Sequence, residues 1–491
     1  MRSIVHCLIV NLPHRAWMHI YFMGVCGTAM GNAALMMREA GHDVSGADTG
    51  VYPPMSDQLR SGGIDVLEGW SAHRLETLAP DLVVVGNVIS RGNPEVEWLL
   101  ETNRIPYTSL PDLLGNEAIG KRPSVVVAGT HGKTTTSTLT AFLLESSGLN
   151  PGWLIGGVPL NLPTGACFGQ PDMPFVIEGD EYDSAFFDKR SKFVHYRPRI
   201  LALNNLEFDH GDIFRDLADI LRSFSHVIRL VPRGGSIVYN GDDENLAKLL
   251  PVDWCQAYSV GIGEGCDLRI IDFAEDRKGA SFVLRWRGTI WGKVKWDMSG
   301  LFNARNAAVA ALSAGLVAKP DDPLCAIDLG LLSRFKGIKR RQEILLENEA
   351  LTVIEDFGHH PTAIAGTLQS LRARYPDHRL TACFEPRSNT AATNVLESDF
   401  EKALGLADAV YLGPVHRAER YAEERRLNTN AMAARLNQQS VCSGAFKTND
   451  DLVEELIHAT RTKQDKPRCV VFFSNGAFGG VMPRYVDACC E

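Results

Sequence analysis

The chain has 491 residues, of which 45% are hydrophobic and 22% charged, and its formal net charge is −9. This length predicts about three domains, and the composition is that of a globular protein with a full hydrophobic core. The acidic balance and the lack of a dense basic run exclude a protein that binds nucleic acid by neutralising phosphates. We therefore expect no nucleic-acid partner.

Cysteine usage and hydropathy both point to the cytoplasm. The 11 cysteines include no Cys-x-x-Cys pair, which in a chain of this size predicts reduced thiols. No apolar run approaches the roughly 20 residues of a membrane span, so we expect no membrane insertion. Residues 1–17 lack a signal-peptide cleavage site, and we interpret them as an extension or a wrongly assigned start.

Strands alternate with helical stretches in the first part of the chain, which predicts a parallel sheet covered by helices. The strand "HIYFMG" leads into a helix that ends at Gly41, and "HDVSGAD" and "DLVVVGNVIS" follow as further strands. The polar stretch "GNEAIGKRP", near 115–123, predicts a linker. We place the first domain at 18–120.

The second and third units repeat this alternation, and we place them at 121–340 and 341–491. Buried strands are predicted at "SVVVAG", "FVIEGDEYD" and "RILALNNLEFDH", and later at "LTVIEDFGHHP", "RLTACFEPRSN", "DAVYLGP" and "RCVVFFSNG". The alternating stretch "ASFVLRWRGTIWGKVKW" predicts an antiparallel hairpin with turns at Gly288 and Gly292, and we expect its tryptophans to be packing residues. The stretch "NARNAAVAALSAGLV" predicts a strong helix.

The segment "AGTHGKTTT" is typical of a loop that holds nucleotide phosphates. Glycines let the backbone wrap a phosphate, and the following helix N-terminus offers free N–H groups. Lys133 would reach the β- and γ-phosphates, and the Thr134 hydroxyl would bind Mg²⁺. Only two residues separate Gly129 from Gly132, whereas a strict P-loop has four. The alternative is a glycine turn before a threonine-rich helix.

Acidic and histidine side chains follow two buried strands. Glu178 ends "FVIE", and Asp209 and His210 end "RILALNNLEFDH". Because the carboxyl ends of parallel strands converge beside the phosphate loop, Glu178 and His210 are candidate Mg²⁺ ligands. The alternative for their acidic neighbours is a solvated loop, and it applies to Asp180, Glu181 and Asp212.

A second glycine-rich loop near the N-terminus, "GVCGTAMG", also connects a strand to a helix. Its Gly24 and Gly27 would bring backbone N–H groups and a helix N-terminus to a pyrophosphate, and Asp48, at the end of the next strand, is a candidate nucleoside contact. The spacing departs from the G-x-G-x-x-G of dinucleotide-binding folds. An NAD-dependent oxidoreductase therefore stays a distant alternative, as does a P-loop switch that hydrolyses nucleotide without an acceptor.

Taken together, the motifs "GTHGKTTT", "EGDEYD", "NNLEFDH", "NARNA" and "EDFGHHPTAI" resemble the Mur ligases. The resemblance spans nearly the whole chain in the family's order. It implies a three-domain α/β protein: an N-terminal Rossmann-like UDP-sugar domain, a central P-loop ATPase domain and a C-terminal Rossmann-like domain for the amine substrate. It also implies an ATP-dependent ligase that forms a C–N bond.

The resemblance carries functional roles onto particular residues. In this interpretation ATP binds at Gly129, Thr130, His131, Gly132, Lys133, Thr134, Thr135, Asn303, Asn306 and Asp356, and the metal binds at Thr134, Glu178 and His210. The UDP-sugar candidates are Gly24, Gly27, Thr28 and Asp48; the peptide candidates are Arg387, Ser388 and Asn389; weaker candidates are Lys189 and Arg190 near the muramate and His359 and His360 as bases or backbone-ordering residues.

Within the family, "GNVISRGNPEVE", "FFDKRSKFVHY", "EPRSNT" and "SNGAFGG" are most similar to the branch that acts in peptidoglycan recycling. That branch implies transfer of the tripeptide L-Ala-γ-D-Glu-meso-diaminopimelate to UDP-N-acetylmuramate through an acyl phosphate, with ATP and Mg²⁺ and with no protein partner. The alternative is a UDP-N-acetylmuramate–L-alanine ligase. Arg387 is the main candidate for a tripeptide carboxylate because a guanidinium binds carboxylate bidentately.

Two departures from the family pattern bear on these expectations. Phe302 stands where many relatives have histidine, next to the asparagine expected to contact adenine. Several relatives use a carbamylated lysine after the Asp-His motif, but no lysine occurs between Lys192 and Lys248. The metal site must then form without that group.

Overall fold

The computed structural model describes residues 17–462 and 466–490. The interpretation of residues 1–17 as an extension or a wrongly assigned start therefore falls, apart from Trp17, outside the described residues. Three α/β units follow one another along the chain, each built around its own main sheet. The three-domain α/β fold predicted from the sequence is confirmed.

The N-terminal unit is a five-stranded parallel sheet covered by helices. Its elements are β1 (His19–Met23), α1 (Thr28–Glu39), β2 (Asp43–Asp48), α2 (Met55–Ser61), β3 (Asp65–Glu68), α3 (Ala72–Leu78), β4 (Leu82–Val85), α4 (Pro94–Thr102), β5 (Tyr107–Ser109) and α5 (Leu110–Leu113). The strand order β3-β2-β1-β4-β5 changes direction at β1. The loop after β1 therefore opens at the switch point, where parallel sheets bind ligands.

The predicted linker near 115–123 is instead partly a buried helical segment. Leu114–Ile119 forms a π-helix, and Leu114, Ala118 and Ile119 are buried in a core shared by the N-terminal and central units. Burial of its apolar side chains determines the structure of this segment, although many of the residues around them are polar. The connection is thus a packed joint over 114–119.

The central unit is a ten-stranded mixed sheet with an added two-stranded ribbon. Its elements are β6 (Ser124–Ala128), α6 (Lys133–Ser146), β7 (Gly152–Leu154), β8 (Ala166–Cys167), β9 (Phe175–Gly179), β10 (Asp183–Ala185), β11 (Asp188–Ser191), β12 (Ile200–Leu203), α7 (Leu217–Ile228), β13 (Ser236–Asn240), β14 (Gln256–Gly261), β15 (Leu268–Asp276), β16 (Gly279–Trp286), β17 (Thr289–Trp296), α8 (Leu301–Ala318) and α9 (Pro323–Ala326). Strands β6, β9 and β12 are adjacent and parallel, so their carboxyl ends meet at one edge.

The antiparallel hairpin is confirmed as β16 and β17, with its turn at Gly288 (φ +89°). The prediction of a second turn at Gly292 was wrong. That residue lies inside β17, where an added Cβ would lie 3.2 Å from a Leu329 methyl group. The tryptophans pack as expected, since Trp296 is buried and Trp286 lies against the same core.

Helix α8 has the length and mean hydropathy (1.2) of a membrane span, but most of it is buried inside the central unit. It packs against α6 and beneath the sheet, as a core helix does. Its N-terminal turn presents Asn303 and Asn306 to the phosphate loop.

The C-terminal unit is a six-stranded sheet in the order β18-β19-β23-β20-β21-β22, in which β18 alone is antiparallel to its neighbour. Its elements are β18 (Glu343–Glu347), β19 (Leu351–Asp356), α10 (Pro361–Arg374), β20 (Arg379–Phe384), α11 (Glu397–Leu404), β21 (Ala409–Leu412), α12 (Thr429–Gln438), β22 (Cys442–Ala445), α13 (Asn449–Arg461), β23 (Arg468–Phe473) and α14 (Val481–Cys490). The loops after β19 and β20 face the central unit.

Candidate functional site

The phosphate loop connects β6 to α6 and is held by the loop that follows β12. The Thr130 N–H donates to the Asn205 backbone carbonyl at 3.2 Å, and the His131 N–H donates to Asn205 Oδ1 at 2.7 Å. Gly129 and Gly132 have φ of +136° and +77°, in the range that glycine adopts without strain. The N–H groups of Thr130 and His131 are thus engaged in holding the loop.

Asn306 lies directly over the phosphate loop. A Cβ added to Gly132 would approach Asn306 Oδ1 to 2.6 Å, so only glycine fits there. Asn303 donates to the Ser299 carbonyl at 2.8 Å and accepts from Asn306 at 3.4 Å. The neighbouring Phe302 ring packs toward Gly366 of α10, and both asparagines are buried.

Lys133 begins α6 and is bound by a carboxylate. Its ammonium lies 2.9 Å from Glu181 Oε2 and donates to the Gly129 carbonyl at 2.7 Å. Glu181 Oε1 lies 2.9 Å from His210 Nε2, so one buried carboxylate joins the lysine to the histidine. Burial lowers the Lys133 pKa, but the neighbouring Glu181 and Asp180 carboxylates outweigh it and raise the pKa above its usual value.

Thr134 and Glu178 come together as the sequence predicts. The Thr134 hydroxyl donates to Glu178 Oε2 at 3.2 Å, and Glu178 Oε1 accepts from the Gly156 N–H at 2.7 Å. Burial raises the pKa of the Glu178 carboxyl. A hydroxyl and a carboxylate are hard oxygen donors that fit Mg²⁺, whereas His210 offers nitrogen. Within residues 17–462 and 466–490, no hydrogen bond joins Glu178 to His210.

Three residues of this site were not singled out as candidates. Glu181, for which a solvated loop was an alternative, is 3% exposed and fully engaged, and Asp180 pairs with Lys192 at 2.6 Å. Arg341 donates to the Thr134 hydroxyl at 3.3 Å and stacks over the Phe357 ring at 4.6 Å. The paired basic residues in "KRRQE", at the start of the third unit, are the signal that could have indicated Arg341.

Thr135 and Asp356, the remaining ATP candidates, are both buried. Thr135 is buried in the first turn of α6. Asp356 ends β19 and accepts from the Gly358 N–H at 2.7 Å and the Gln342 N–H at 3.0 Å. Its carboxylate therefore orders the backbone beside Arg341, and burial raises its pKa.

Histidines from the C-terminal unit meet the central unit next to the loop. His360 caps α10 and lies 3.2 Å from Glu207, which also contacts His131 at 2.9 Å. His359 lies 3.8 Å from the buried Asp209 carboxylate. Burial lowers the pKa of His359 and of His360 to about 4. Both histidines are thus neutral at pH 7.

The segment 387–390, which follows β20, touches the loop that carries His210. Asn389 donates to Asp212 at 2.8 Å, and the Gly211 N–H donates to the Thr390 hydroxyl at 3.2 Å. Arg387 packs on Gly476 and lies 3.4 Å from His416, while the Ser388 hydroxyl accepts from the Ala391 N–H. Of the peptide candidates, Asn389 therefore contacts the loop that carries His210, whereas the contacts of Arg387 and Ser388 lie within the C-terminal unit.

In the N-terminal loop the glycine amides are used internally, contrary to expectation. The Gly24 N–H donates to the Ala47 carbonyl and the Gly27 N–H to the Gly24 carbonyl, because the turn is tight. Asp48 also turns inward and accepts from the Cys26 N–H at 2.9 Å. The other part of the expected pyrophosphate site, the N-terminus of α1, begins at Thr28 and has no side-chain cap.

Lys189 and Arg190 lie on the exposed ribbon of β10 and β11. Lys189 pairs with Asp183 at 2.5 Å and Arg190 with Asp188 at 2.7 Å. Both cations are mostly exposed, so these pairs contribute little to stability. The structure does not bring them into contact with the phosphate loop.

Comparisons with known proteins match all three units. Residues 19–122 match the "Mur ligase family, catalytic domain", 127–314 the "Mur ligase middle domain" and 340–476 the "Mur ligase, glutamate ligase domain". The chain is 41% identical over 473 residues to the UDP-N-acetylmuramate–L-alanyl-γ-D-glutamyl-meso-2,6-diaminoheptandioate ligase of Escherichia coli (strain K12), covering 96% of this chain and 98% of that protein.

Two further relatives widen the comparison. The murein peptide ligase of Psychrobacter arcticus 273-4 has a TM-score of 0.68 and 36% identity, with 96% of this chain and 98% of that chain covered. The UDP-N-acetylmuramate–L-alanine ligase of Desulforapulum autotrophicum (strain ATCC 43914 / DSM 3382 / VKM B-1955 / HRM2) is 31% identical, with 82% of this chain and 84% of that protein covered.

Proposed function

The chain belongs to the Mur ligase family, and from that premise we propose that it joins the tripeptide L-Ala-γ-D-Glu-meso-diaminopimelate to UDP-N-acetylmuramate in peptidoglycan recycling. The observation that carries the proposal is the full-length identity to the E. coli ligase of that name, 41% over 96% of the chain. The L-alanine ligase is the second candidate because a relative of that name is 31% identical.

The chemistry follows from the unreactivity of a carboxylate toward an amine. The lactyl carboxylate of UDP-N-acetylmuramate attacks the γ-phosphorus of ATP, ADP leaves, and an acyl phosphate forms. The tripeptide α-amine then attacks the acyl carbon, and inorganic phosphate leaves with one carboxylate oxygen. Two anions meet in the first step, and Lys133 neutralises them at the β- and γ-phosphates.

Lys133 is placed for this role but is bound to Glu181 at 2.9 Å. In our account the ammonium exchanges this carboxylate for phosphate when ATP binds. Thr134 and Glu178 would hold Mg²⁺ through oxygen, with His210 as a further candidate ligand. The bound ion would supply charge neutralisation to the phosphates. Arg341, which contacts Thr134 at 3.3 Å, adds a second cation to the same region.

The amine substrate enters from the C-terminal unit in this proposal. The contacts of Asn389 with Asp212 and of Thr390 with Gly211 support it, because they bring the segment after β20 to the metal candidates. Arg387 would bind a tripeptide carboxylate. An α-amine has a pKa of about 8, so a weak base suffices for its deprotonation.

The proposal also assigns a substrate to each unit and a cellular location to the protein. We assign 18–120 to the UDP-sugar, with its pyrophosphate at the N-terminus of α1, 121–340 to ATP and 341–491 to the tripeptide. Asn303 and Asn306 would contact the adenine and Asp356 the ribose side. We place the protein in the cytoplasm, where both nucleotide substrates occur.

The test mixes the purified protein with UDP-N-acetylmuramate, ATP, Mg²⁺ and either the tripeptide or L-alanine. We expect ADP release and a product of the mass of the tripeptide conjugate, with no response to L-alanine. A response to L-alanine alone would make the second candidate correct. Nucleotide hydrolysis that needs no acceptor would contradict both.

A further inference from the structure

Three side chains meet between the phosphate loop and the C-terminal unit, and the proposed reaction assigns none of them to a metal ion. His131 Nε2, a Glu207 carboxylate oxygen and a His360 ring nitrogen all lie within 4.8 Å of one another. His131 comes from the phosphate loop, Glu207 from the loop after β12, and His360 from the cap of α10. They are separate from the Thr134 and Glu178 pair, which offers oxygen donors alone.

The geometry gives three converging donor atoms. Glu207 Oε2 lies 2.9 Å from His131 Nε2 and 3.2 Å from His360 Nδ1. In a tetrahedral zinc site with metal–ligand distances of about 2.1 Å, neighbouring donors lie about 3.4 Å apart. These two separations are within 0.5 Å of that value, and the third, between the two histidine nitrogens, is within 4.8 Å. Side-chain rotations would have to bring the two histidines to a common distance.

The tautomer of His360 is fixed by its other nitrogen. Nε2 lies 3.2 Å from the Phe208 backbone carbonyl, which only accepts, so Nε2 carries the proton. In a neutral ring Nδ1 then carries the lone pair, which accepts from the Thr362 N–H at 3.4 Å and lies 3.2 Å from Glu207 Oε2. A cation bound at this site would take the lone pair from that long hydrogen bond. A backbone carbonyl that holds the far nitrogen is also the usual outer partner of a metal-bound histidine.

We propose that His131, Glu207 and His360 form a binding site for a zinc-type divalent cation that links the phosphate loop to the C-terminal unit. Two imidazole nitrogens and one carboxylate suit Zn²⁺ and not Mg²⁺, which takes oxygen ligands. The side chains are 15%, 29% and 7% exposed, so a fourth position is left for water. The bound ion holds the two units together across their interface.

The test measures zinc binding directly and does not depend on the ligase reaction. Wild-type protein is titrated with Zn²⁺ against a chromophoric chelator, with millimolar Mg²⁺ present to occupy oxygen sites. We expect one equivalent to be lost in Glu207→Gln and in His360→Ala. His226→Ala, which removes an exposed histidine of α7, is the matched control and keeps that equivalent.

A second measurement identifies the ligands. Co²⁺ in place of Zn²⁺ is expected to give visible d–d absorption without thiolate charge transfer, and this signal should be lost in Glu207→Gln. His210→Ala should keep it, because His210 belongs to the other metal candidate. Equal zinc stoichiometry in wild type and Glu207→Gln, or loss of the cobalt signal only in His210→Ala, would overturn the proposal.

Discussion

Lys133 Nζ lies 2.9 Å from Glu181 Oε2, a contact between the first residue of α6 and the loop after β9. Both side chains are nearly buried, at 16% and 4% exposed. A phosphate that binds Lys133 must therefore compete with an internal carboxylate. Glu181 also contacts His210. When Lys133 leaves Glu181 for a phosphate, the contact of Glu181 with His210 therefore changes as well.

We predict that Glu181→Gln tightens ADP binding about fivefold when Mg²⁺ is left out. The amide keeps the shape of the carboxylate but removes the charge that competes with phosphate, and a fivefold change corresponds to about 1 kcal/mol. Isothermal titration calorimetry measures the effect. Glu145→Gln, at an exposed position on α6, should leave the affinity unchanged. Weaker ADP binding in Glu181→Gln would mean that the carboxylate supports the loop instead.

Lys133→Ala should lower kcat by at least about a thousandfold, because the variant leaves the developing phosphate charge without its nearest cation. ADP release in the presence of both substrates is the measurement. Lys248→Ala, on the surface of the central unit, serves as the control. Near-normal turnover in Lys133→Ala would contradict the assignment of the phosphate loop.

Arg341→Ala should reduce kcat/KM by about a hundredfold, and Arg341→Lys by less. Its guanidinium both contacts Thr134 and stacks on Phe357, and a lysine keeps the charge but loses the planar stacking. Steady-state kinetics with ATP as the varied substrate measure the change. If the two variants matched wild type, Arg341 would only join the units mechanically.

Much of the candidate site could be predicted from local sequence, and what was missed lies in contacts between distant segments. Thr134 and Glu178 meet because two parallel strands end at one edge, a rule that applies to any such sheet. The pairing of Arg341 with Thr134 joins residues 207 positions apart, and the packing of the third unit decides it. Glu181 resembles its solvated acidic neighbours in sequence, and only burial distinguishes it.

Contacts between distant segments also account for two predictions that differ from the structure. The polar residues of 115–123 predicted a linker, but Leu114, Ala118 and Ile119 are buried in a core that the N-terminal and central units share. Gly24 and Gly27 were expected to donate to a ligand, whereas a tight turn uses both amides. Composition and motif spacing indicate the local conformation of a segment. Which residues bury a side chain, and which carbonyl accepts from a backbone N–H, depend on the rest of the fold.

Arg387→Lys should raise the KM for the tripeptide at least tenfold while leaving ADP affinity unchanged. The lysine keeps the charge but cannot bind a carboxylate bidentately. Kinetics with the tripeptide varied, together with ADP titration, separate the two effects. Arg425→Lys, in the loop before α12, is the control. A loss of ADP affinity in Arg387→Lys would indicate a misplaced domain and not a lost substrate contact.

Arg74→Ala should destabilise the N-terminal unit by about 3 kcal/mol at pH 7. Glu95 is fully buried, and Arg74 lies 2.9 Å from it, so the variant leaves a buried carboxylate unpaired. Burial already raises the Glu95 pKa, and the protonated form loses little from a missing cation. The destabilisation should therefore shrink as the pH falls through the raised pKa of the variant.

Thermal unfolding at pH 7 and pH 5 measures this difference. Arg91→Ala is the matched control, because Arg91 and Glu97 form an exposed pair at a similar distance of 2.9 Å. The control should change the unfolding temperature little at either pH. Equal changes in unfolding temperature for the two variants would show that burial of Glu95 does not increase the cost of losing its partner.

The most direct test of the account follows an oxygen atom. UDP-N-acetylmuramate labelled with ¹⁸O in its lactyl carboxylate is incubated with ATP, Mg²⁺ and the tripeptide, and the released inorganic phosphate is analysed by mass. Activation through an acyl phosphate predicts one ¹⁸O in each phosphate, and only when the tripeptide is present. Unlabelled phosphate formed together with the conjugate would contradict the central claim.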